Sequence, residues 1–191
     1  MIKYCNGFRW NAVSMAKYRQ GMFIGRFQPV HNGHIYTVKA ALSQCDKLII
    51  GIGSSNKSGT ENNPFDANLR IEMLRESLRG AGVDTLRIGF LKIPDFDDDD
   101  EWLKFITDRM TGLSVVFSDN PWVTGIFGKA GITTDAVALD RENLSATHMR
   151  QLIREGKEWR HMVPEEAHAL IQKHSGEVVA AGHPKRKIAT V

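Results

Sequence analysis

No uninterrupted apolar run in the chain approaches the ~20 residues that a membrane-spanning helix requires. The basic N-terminal stretch holds no continuous apolar segment of signal-peptide type, so secretion is not expected. Cysteine is scarce. Cys5 and Cys45 form no metal-binding or redox spacing, and Cys45 falls on the apolar face of a helical pattern, which suits a buried, reduced thiol. A cytoplasmic protein is the expectation. Acidic residues are absent from residues 1–21, which carry Lys3, Arg9, Lys17 and Arg19, and residues 173–191 set only Glu177 against Lys173, Lys185, Arg186 and Lys187. The net charge of +3 is thus a property of the two ends, and the stretch between them is acidic. That distribution argues against a nucleic-acid-binding core.

A chain of 191 residues, 42% hydrophobic and 25% charged, is about one soluble domain with enough length to bury a core. Residues 1–21 show neither helical nor strand periodicity and read as a mobile extension, residues 22–175 as the folded domain, and residues 176–191 as a basic tail broken by Gly176, Gly182 and Pro184.

The densest chemistry lies in Gly25-Arg26-Phe27-Gln28-Pro29-Val30-His31-Asn32-Gly33-His34. Met22-Phe23-Ile24 before it reads as a buried strand. Ile35, Val38, Leu42 and Cys45 after it recur at helical spacing. A strand-to-helix junction of this kind presents unpaired backbone N–H groups and the positive end of a helix dipole, a natural anion site. His31 and His34 are spaced to share one face at the helix start. Gly33 lets a ligand approach the backbone. Two imidazoles and an arginine around free amides suit a polyphosphate whose charge rises during group transfer.

Downstream, strand and helix alternate through five units, which predicts a doubly wound α/β fold with a parallel sheet of about five strands and helices on both faces. The strands are expected at Met22–Ile24, Lys47–Gly53, Thr85–Lys92, Leu113–Ser118 and Thr133–Leu139. Ser54 to Gly59 forms a polar loop at the C-terminal end of the second strand, the sheet edge where such folds bind ligands. Asp66 is a candidate N-cap for the next helix. Asp97 to Glu101 is a run of five acids. Adjacent carboxylates cannot all converge on one cation, so the run reads as an exposed helix start and not a metal cage. Ser145 and Thr147 open a helix with Arg150 one turn in, a second candidate phosphate clamp. Trp102 reads first as a core anchor of the helix that runs to Met110 and only second as an aromatic platform, and Asp119 and Asn120 read as caps or ligand contacts.

Gly25 to Pro29 with His31-Asn32-Gly33-His34 resembles the signature of the HxGH nucleotidyltransferases, and the chain from about Met22 to Lys173 is most similar to the archaeal-type nicotinamide-mononucleotide adenylyltransferases. The resemblance implies a Rossmann-like fold and adenylyl transfer from ATP to nicotinamide mononucleotide, giving NAD⁺ and pyrophosphate. It assigns His31, His34 and Arg150 to catalysis. Gly25, Arg26, Phe27, Gly33, Asn120, Ser145, Thr147 and Arg141 would bind ATP, and Ser54, Arg70, Asp95 and Trp102 the acceptor. Trp102, seven residues beyond Asp95 in the family's pattern, would stack on the nicotinamide ring. Mg²⁺ or another divalent cation would be held by substrate phosphates with no dedicated protein site. A homo-oligomer is implied, since archaeal relatives are commonly hexameric, with no nucleic-acid or membrane partner. The rival expectations are transfer to FMN or phosphopantetheine, use of CTP, and a nucleotide sensor without turnover.

Overall fold

The computed structural model describes residues 16–136 and 145–182. Its centre is one sheet of five strands, β1 Tyr18–Gly25, β2 Cys45–Ile52, β3 Ile88–Lys92, β4 Val115–Phe117 and β5 Thr133–Asp135. They run in the order β3-β2-β1-β4-β5, and every neighbouring pair is parallel. Around the sheet lie α1 Asn32–Leu42, α2 Ala67–Gly80, α3 Asp99–Thr107, α4 Pro121–Lys129, α5 Ala146–Arg154, α6 Glu165–Lys173 and α7 Ser175–Ala181. Among the described residues, no helix is long and apolar enough to cross a membrane.

Alternate residues of β1 to β4 feed two separate cores, as a period of two requires. Phe23, Leu48, Ile50, Ile52, Val115 and Phe117 pack with apolar side chains of α1, α2, α5, α6 and α7. Met22 and Val116 face the other way, onto Trp102 and Ile106 of α3 and Val123, Ile126 and Phe127 of α4. Burial on both faces explains why the strands read as continuous apolar runs. The first two crossovers, through α1 and α2, lie on one face of the sheet. The next two, through α3 and α4, lie on the other. The winding reverses at β1, so the C-terminal ends of β1 and β4 part at a topological switch point, where ligands of open α/β sheets bind.

Four boundaries differ from the sequence reading. Cys45 is buried but opens β2 and does not close α1, which ends at Leu42. The guanidinium of Arg87 takes up the carbonyls of Leu42, Cys45 and Asp46, which stabilises the corner between helix and strand. That arginine sits in a 3-10 helix, Thr85–Arg87, capped by Asp84, so β3 begins three residues later than its apolar pattern suggested. β1 begins at Tyr18, inside the presumed extension. Its polar residues pair through their backbones with β2, and the Tyr18 hydroxyl donates to Asp135. At the other end, α7 extends beyond the expected domain boundary despite Gly176, because Val178 finds the core and Arg154 donates to its carbonyl. Tertiary burial outweighs a helix-propensity penalty of about 1 kcal/mol. The last four residues of the expected fifth strand are not all described, since residues 137–144 lie outside the described set.

Candidate active site

The switch point is occupied by the segment that joins β1 to α1. Gly25 ends the strand, where a Cβ would lie 2.9 Å from the Phe27 ring. Phe27 itself has φ 52°, a left-handed conformation that side chains rarely adopt, and is 1% exposed. Its ring meets Phe23 edge-on at 5.7 Å and lies 4.7 Å from the His34 ring. Phe27 is thus a wedge behind the histidine. His31 is the N-cap of α1, and Gly33 is buried in its first turn. The two imidazoles stack with centroids 3.6 Å apart at 24°.

His34 accepts a hydrogen bond at Nδ1 from the His31 backbone N–H at 3.1 Å. Neutral imidazole has one donor and one acceptor nitrogen, so Nε2 carries the proton and is the donor. Burial lowers the pKa of His31 to about 4. Burial, reinforced by the neighbouring His31, holds His34 well below the usual histidine range. Both rings are therefore neutral at pH 7. Nδ1 of His31 is buried without a hydrogen-bond partner among the described residues.

Arg70 is fully buried, and its guanidinium meets backbone carbonyls. Its Nη1 donates to the carbonyls of Arg26 at 2.7 Å and Gly53 at 2.8 Å. Its Nη2 donates to that of Ser54 at 3.2 Å, and its Nε to that of Asp66 at 3.2 Å. Ser54 is the second non-glycine residue with positive φ, at 48°. Arg70 thus fastens the loops leaving β1 and β2 beside both left-handed residues. Burial pushes its pKa down to about 10, which leaves it charged.

Arg150, 2% exposed, reaches the same junction from α5. It donates to the Gln28 carbonyl at 2.9 Å, to Asn62 Oδ1 at 3.2 Å and to Thr147 Oγ1 at 3.3 Å, while its Nε is buried without a partner among the described residues. Burial and then the charges of Arg26 and Arg154 lower its pKa. Arg26 is exposed at the crevice, and its charge acts on Arg70, Asp95 and Arg150 alike. Ser145 is the N-cap of α5, accepting from the His148 N–H. Asn120 is the N-cap of α4, accepting from Trp122 N–H at 3.0 Å. Arg141 lies outside the described residues.

Asp95 closes the far side. Ser54 Oγ donates to it at 2.9 Å and Lys57 Nζ lies 2.7 Å away. Partial burial acts to raise its pKa, but these two partners outweigh it and hold the carboxyl below its ordinary value. Trp102 is 6% exposed within the α3–α4 core, with Trp122 at 4.8 Å and Phe127 at 5.7 Å. The acid run is a helix start, with Asp98 capping α3 and Asp99, Asp100 and Glu101 in its first turn. Among the described residues, no group of three or more His, Cys, Asp or Glu could hold a metal ion.

The fold therefore brings His31, His34, Arg26, Arg70 and Arg150 to one junction, with Ser54 and Asp95 across the ends of β2 and β3. Three contributors were missed in the sequence. Gln28, 1% exposed, exchanges two hydrogen bonds with the Phe65 backbone and so ties the junction to Asn63-Pro64-Phe65. A glutamine between an aromatic and a proline was the available signal. Asn62 meets Arg150 only through tertiary contact, and Trp122 stands beside Trp102.

Residues 22–89 match the family described as cytidylyltransferase-like. A nicotinamide-nucleotide adenylyltransferase of Saccharolobus solfataricus is 37% identical over 83% of this chain and 92% of its own length. Its counterpart in Thermococcus kodakarensis is 36% identical over 83% of this chain and 85% of its own. The fold resembles a bifunctional NMN adenylyltransferase/ADP ribose pyrophosphatase of Francisella tularensis, solved with AMP and a manganese ion, at a TM-score of 0.72 and 23% identity. That likeness covers 85% of this chain, which spans about half of the longer protein, 52%. With relatives of this identity and coverage, the chain belongs to the nicotinamide-nucleotide adenylyltransferase family.

Proposed function

We propose that this chain transfers the adenylyl group of ATP to nicotinamide mononucleotide, giving NAD⁺ and pyrophosphate. The observation that carries the reading is the His31–His34 pair at the N-terminus of α1, with His34 Nε2–H left as a donor at the switch point. The family's activity is the second support.

In this reading the acceptor's phosphate oxygen attacks the α-phosphorus of ATP, the bond to the β-phosphate oxygen breaks, and pyrophosphate leaves. A phosphate is already a nucleophile, so no protein residue forms a covalent intermediate. Catalysis is alignment plus stabilisation of charge on the phosphoryl oxygens. His34 donates to an α-phosphoryl oxygen, His31 and Arg26 hold the triphosphate, and Arg150 with Ser145, Thr147 and Arg141 receives the leaving pyrophosphate. Asn120 and Gly33 contact the nucleotide, and Ser54, Asp95 and Trp102 mark the acceptor end. Arg70 acts through the loops it fastens. Mg²⁺ or another divalent cation would neutralise the phosphates it binds. In this reading it would be held mainly through the substrate phosphates, with few direct protein ligands.

The test is to mix the protein with ATP, Mg²⁺ and one acceptor at a time. Dinucleotide and pyrophosphate with nicotinamide mononucleotide are expected. Product only with FMN or phosphopantetheine, or with CTP in place of ATP, would overturn the reading.

A further inference from the structure

Two buried arginines stand at the junction, and only one is saturated. Arg70 places Nε, Nη1 and Nη2 on backbone carbonyls. Arg150 keeps its Nε without a partner among the described residues. The acceptors it does meet there are the Gln28 carbonyl, the Asn62 amide oxygen and the Thr147 hydroxyl, all uncharged. A buried arginine is ordinarily paired with an acid.

An acid is close by and is held elsewhere. Glu61 and Asn62 form the tip of a tight turn. Gly59 N–H donates to the Pro64 carbonyl at 3.1 Å, Thr60 N–H to the Asn63 carbonyl at 3.2 Å, and Asn63 N–H to the Thr60 carbonyl at 3.0 Å. Gln28 fixes the end of that turn through the Phe65 backbone. Arg154 lies one helical turn beyond Arg150 on the same face of α5. It donates to the Glu61 carbonyl at 2.9 Å, lies 3.4 Å from the Glu61 carboxylate, and through Nε reaches the Val178 carbonyl at 3.3 Å. The turn thus sends its two tip residues to two arginines, the acid to Arg154 and the amide to the more deeply buried Arg150.

We propose that Asn62 is a positioning residue for the transfer reaction: its amide oxygen orients the Arg150 guanidinium without cancelling its charge, which is left for the departing pyrophosphate. The inference rests on the function proposed above, which gives Arg150 that ligand. A carboxylate in the same place would make the stronger, charge-assisted hydrogen bond. It would also neutralise the cation before the phosphates arrive and repel them. An amide of the same shape aims the guanidinium and does neither. Negative charge on the leaving oxygens rises in the transition state, so the uncancelled cation acts most strongly there.

The experiment compares wild type with Asn62→Asp and Asn62→Ala in kcat, the KM of both substrates, the equilibrium Kd of magnesium pyrophosphate and the melting temperature. Asn62 is exposed, so either substitution leaves the core intact. Asn62→Asp keeps the shape and the acceptor oxygen and should melt at or above the wild-type temperature. Its pyrophosphate Kd should nevertheless rise at least about tenfold and its kcat fall by a similar factor, with the acceptor KM moving less than about threefold. Asn62→Ala loses orientation alone and should change Kd and kcat by about three- to fivefold, the size of one neutral hydrogen bond. A purely structural hydrogen bond would rank the variants the other way, with Asn62→Asp the more active. That ranking, or a wild-type pyrophosphate Kd in both folded variants, would overturn the proposal. If wild type binds pyrophosphate without making dinucleotide, the proposed function fails while the Kd series still decides this inference. If wild type makes dinucleotide and does not bind pyrophosphate, the function stands and this inference fails.

Discussion

The guanidinium of Arg70 lies 2.7 Å from the carbonyl oxygen of Arg26, and from the same nitrogen it reaches Gly53 at 2.8 Å. One buried cation thereby holds together the ends of β1 and β2, next to Phe27 and Ser54 in left-handed conformations. Left-handed non-glycine residues cost of order 1–3 kcal/mol each and persist only where surrounding contacts enforce them.

Arg70→Met should therefore lower stability by about 3–5 kcal/mol, because a fully buried cation is lost and four partly buried carbonyls lose their donor. Arg70→Lys should recover only part of this, since an ammonium cannot reach the carbonyls in a planar fork. Both variants should raise the KM of ATP and of the acceptor together. A loss confined to one substrate, with an unchanged urea midpoint, would instead support Arg70 as a direct phosphate ligand.

His34→Ala should cut kcat by about 10²–10³ and change ATP affinity much less, as expected for a donor whose bond strengthens in the transition state. Its Nε2–H is the group at stake, because Nδ1 is occupied by the His31 backbone. Single-turnover rates on the folded variant decide the matter, and wild-type turnover would remove His34 from the mechanism.

The depressed histidines make stability pH-dependent. In the unfolded chain His31 takes up a proton below about 6.5, whereas in the fold it stays neutral down to about 4. Its contribution is thus complete above about pH 6.5, falls as pH drops toward 4, and is flat below that. His34, shifted in the same direction, adds to the loss. Urea midpoints between about pH 7 and about pH 5 should fall less steeply for His31→Asn than for wild type. Bound ATP should flatten the wild-type curve too, since an anion favours the protonated rings. Parallel curves for variant and wild type would contradict the assignment.

Trp102→Ala should behave first as a core truncation. Its ring is 6% exposed among Ile106, Met110, Val123 and Phe127. A stability loss of about 3–5 kcal/mol is expected, read from thermal or urea unfolding. Trp102→Phe should retain most of the stability. A full-strength fold in Trp102→Ala would show that the ring is not an anchor.

Much of the architecture was legible because it rests on local periodicity. Continuous apolar runs marked strands buried on both faces, and the Gly25–His34 stretch announced a strand-to-helix junction by its own turn residues. Asp66 could be placed as a cap, and the helix starts at Asn120 and Ser145 could be read, because a cap bonds only two or three residues ahead. Their roles depended on nothing distant. The errors came where a long-range partner outvoted local preference. Arg87 ended α1 early by binding carbonyls more than forty residues behind it, and the core claimed Val178 in spite of Gly176.

The same division runs through the site. The sequence alone determined that two histidines would share the first turn of a helix, since spacing decides that. Only the tertiary structure decided that they are neutral, because their pKa depends on burial and on each other. Only it turned Arg70 toward backbone carbonyls, since an arginine on a helix carries no mark of what its guanidinium will meet. It likewise buried Trp102 and left Trp122 outside, for two tryptophans twenty residues apart compete for one hydrophobic site, and the packing of α3 against α4 settles which is covered.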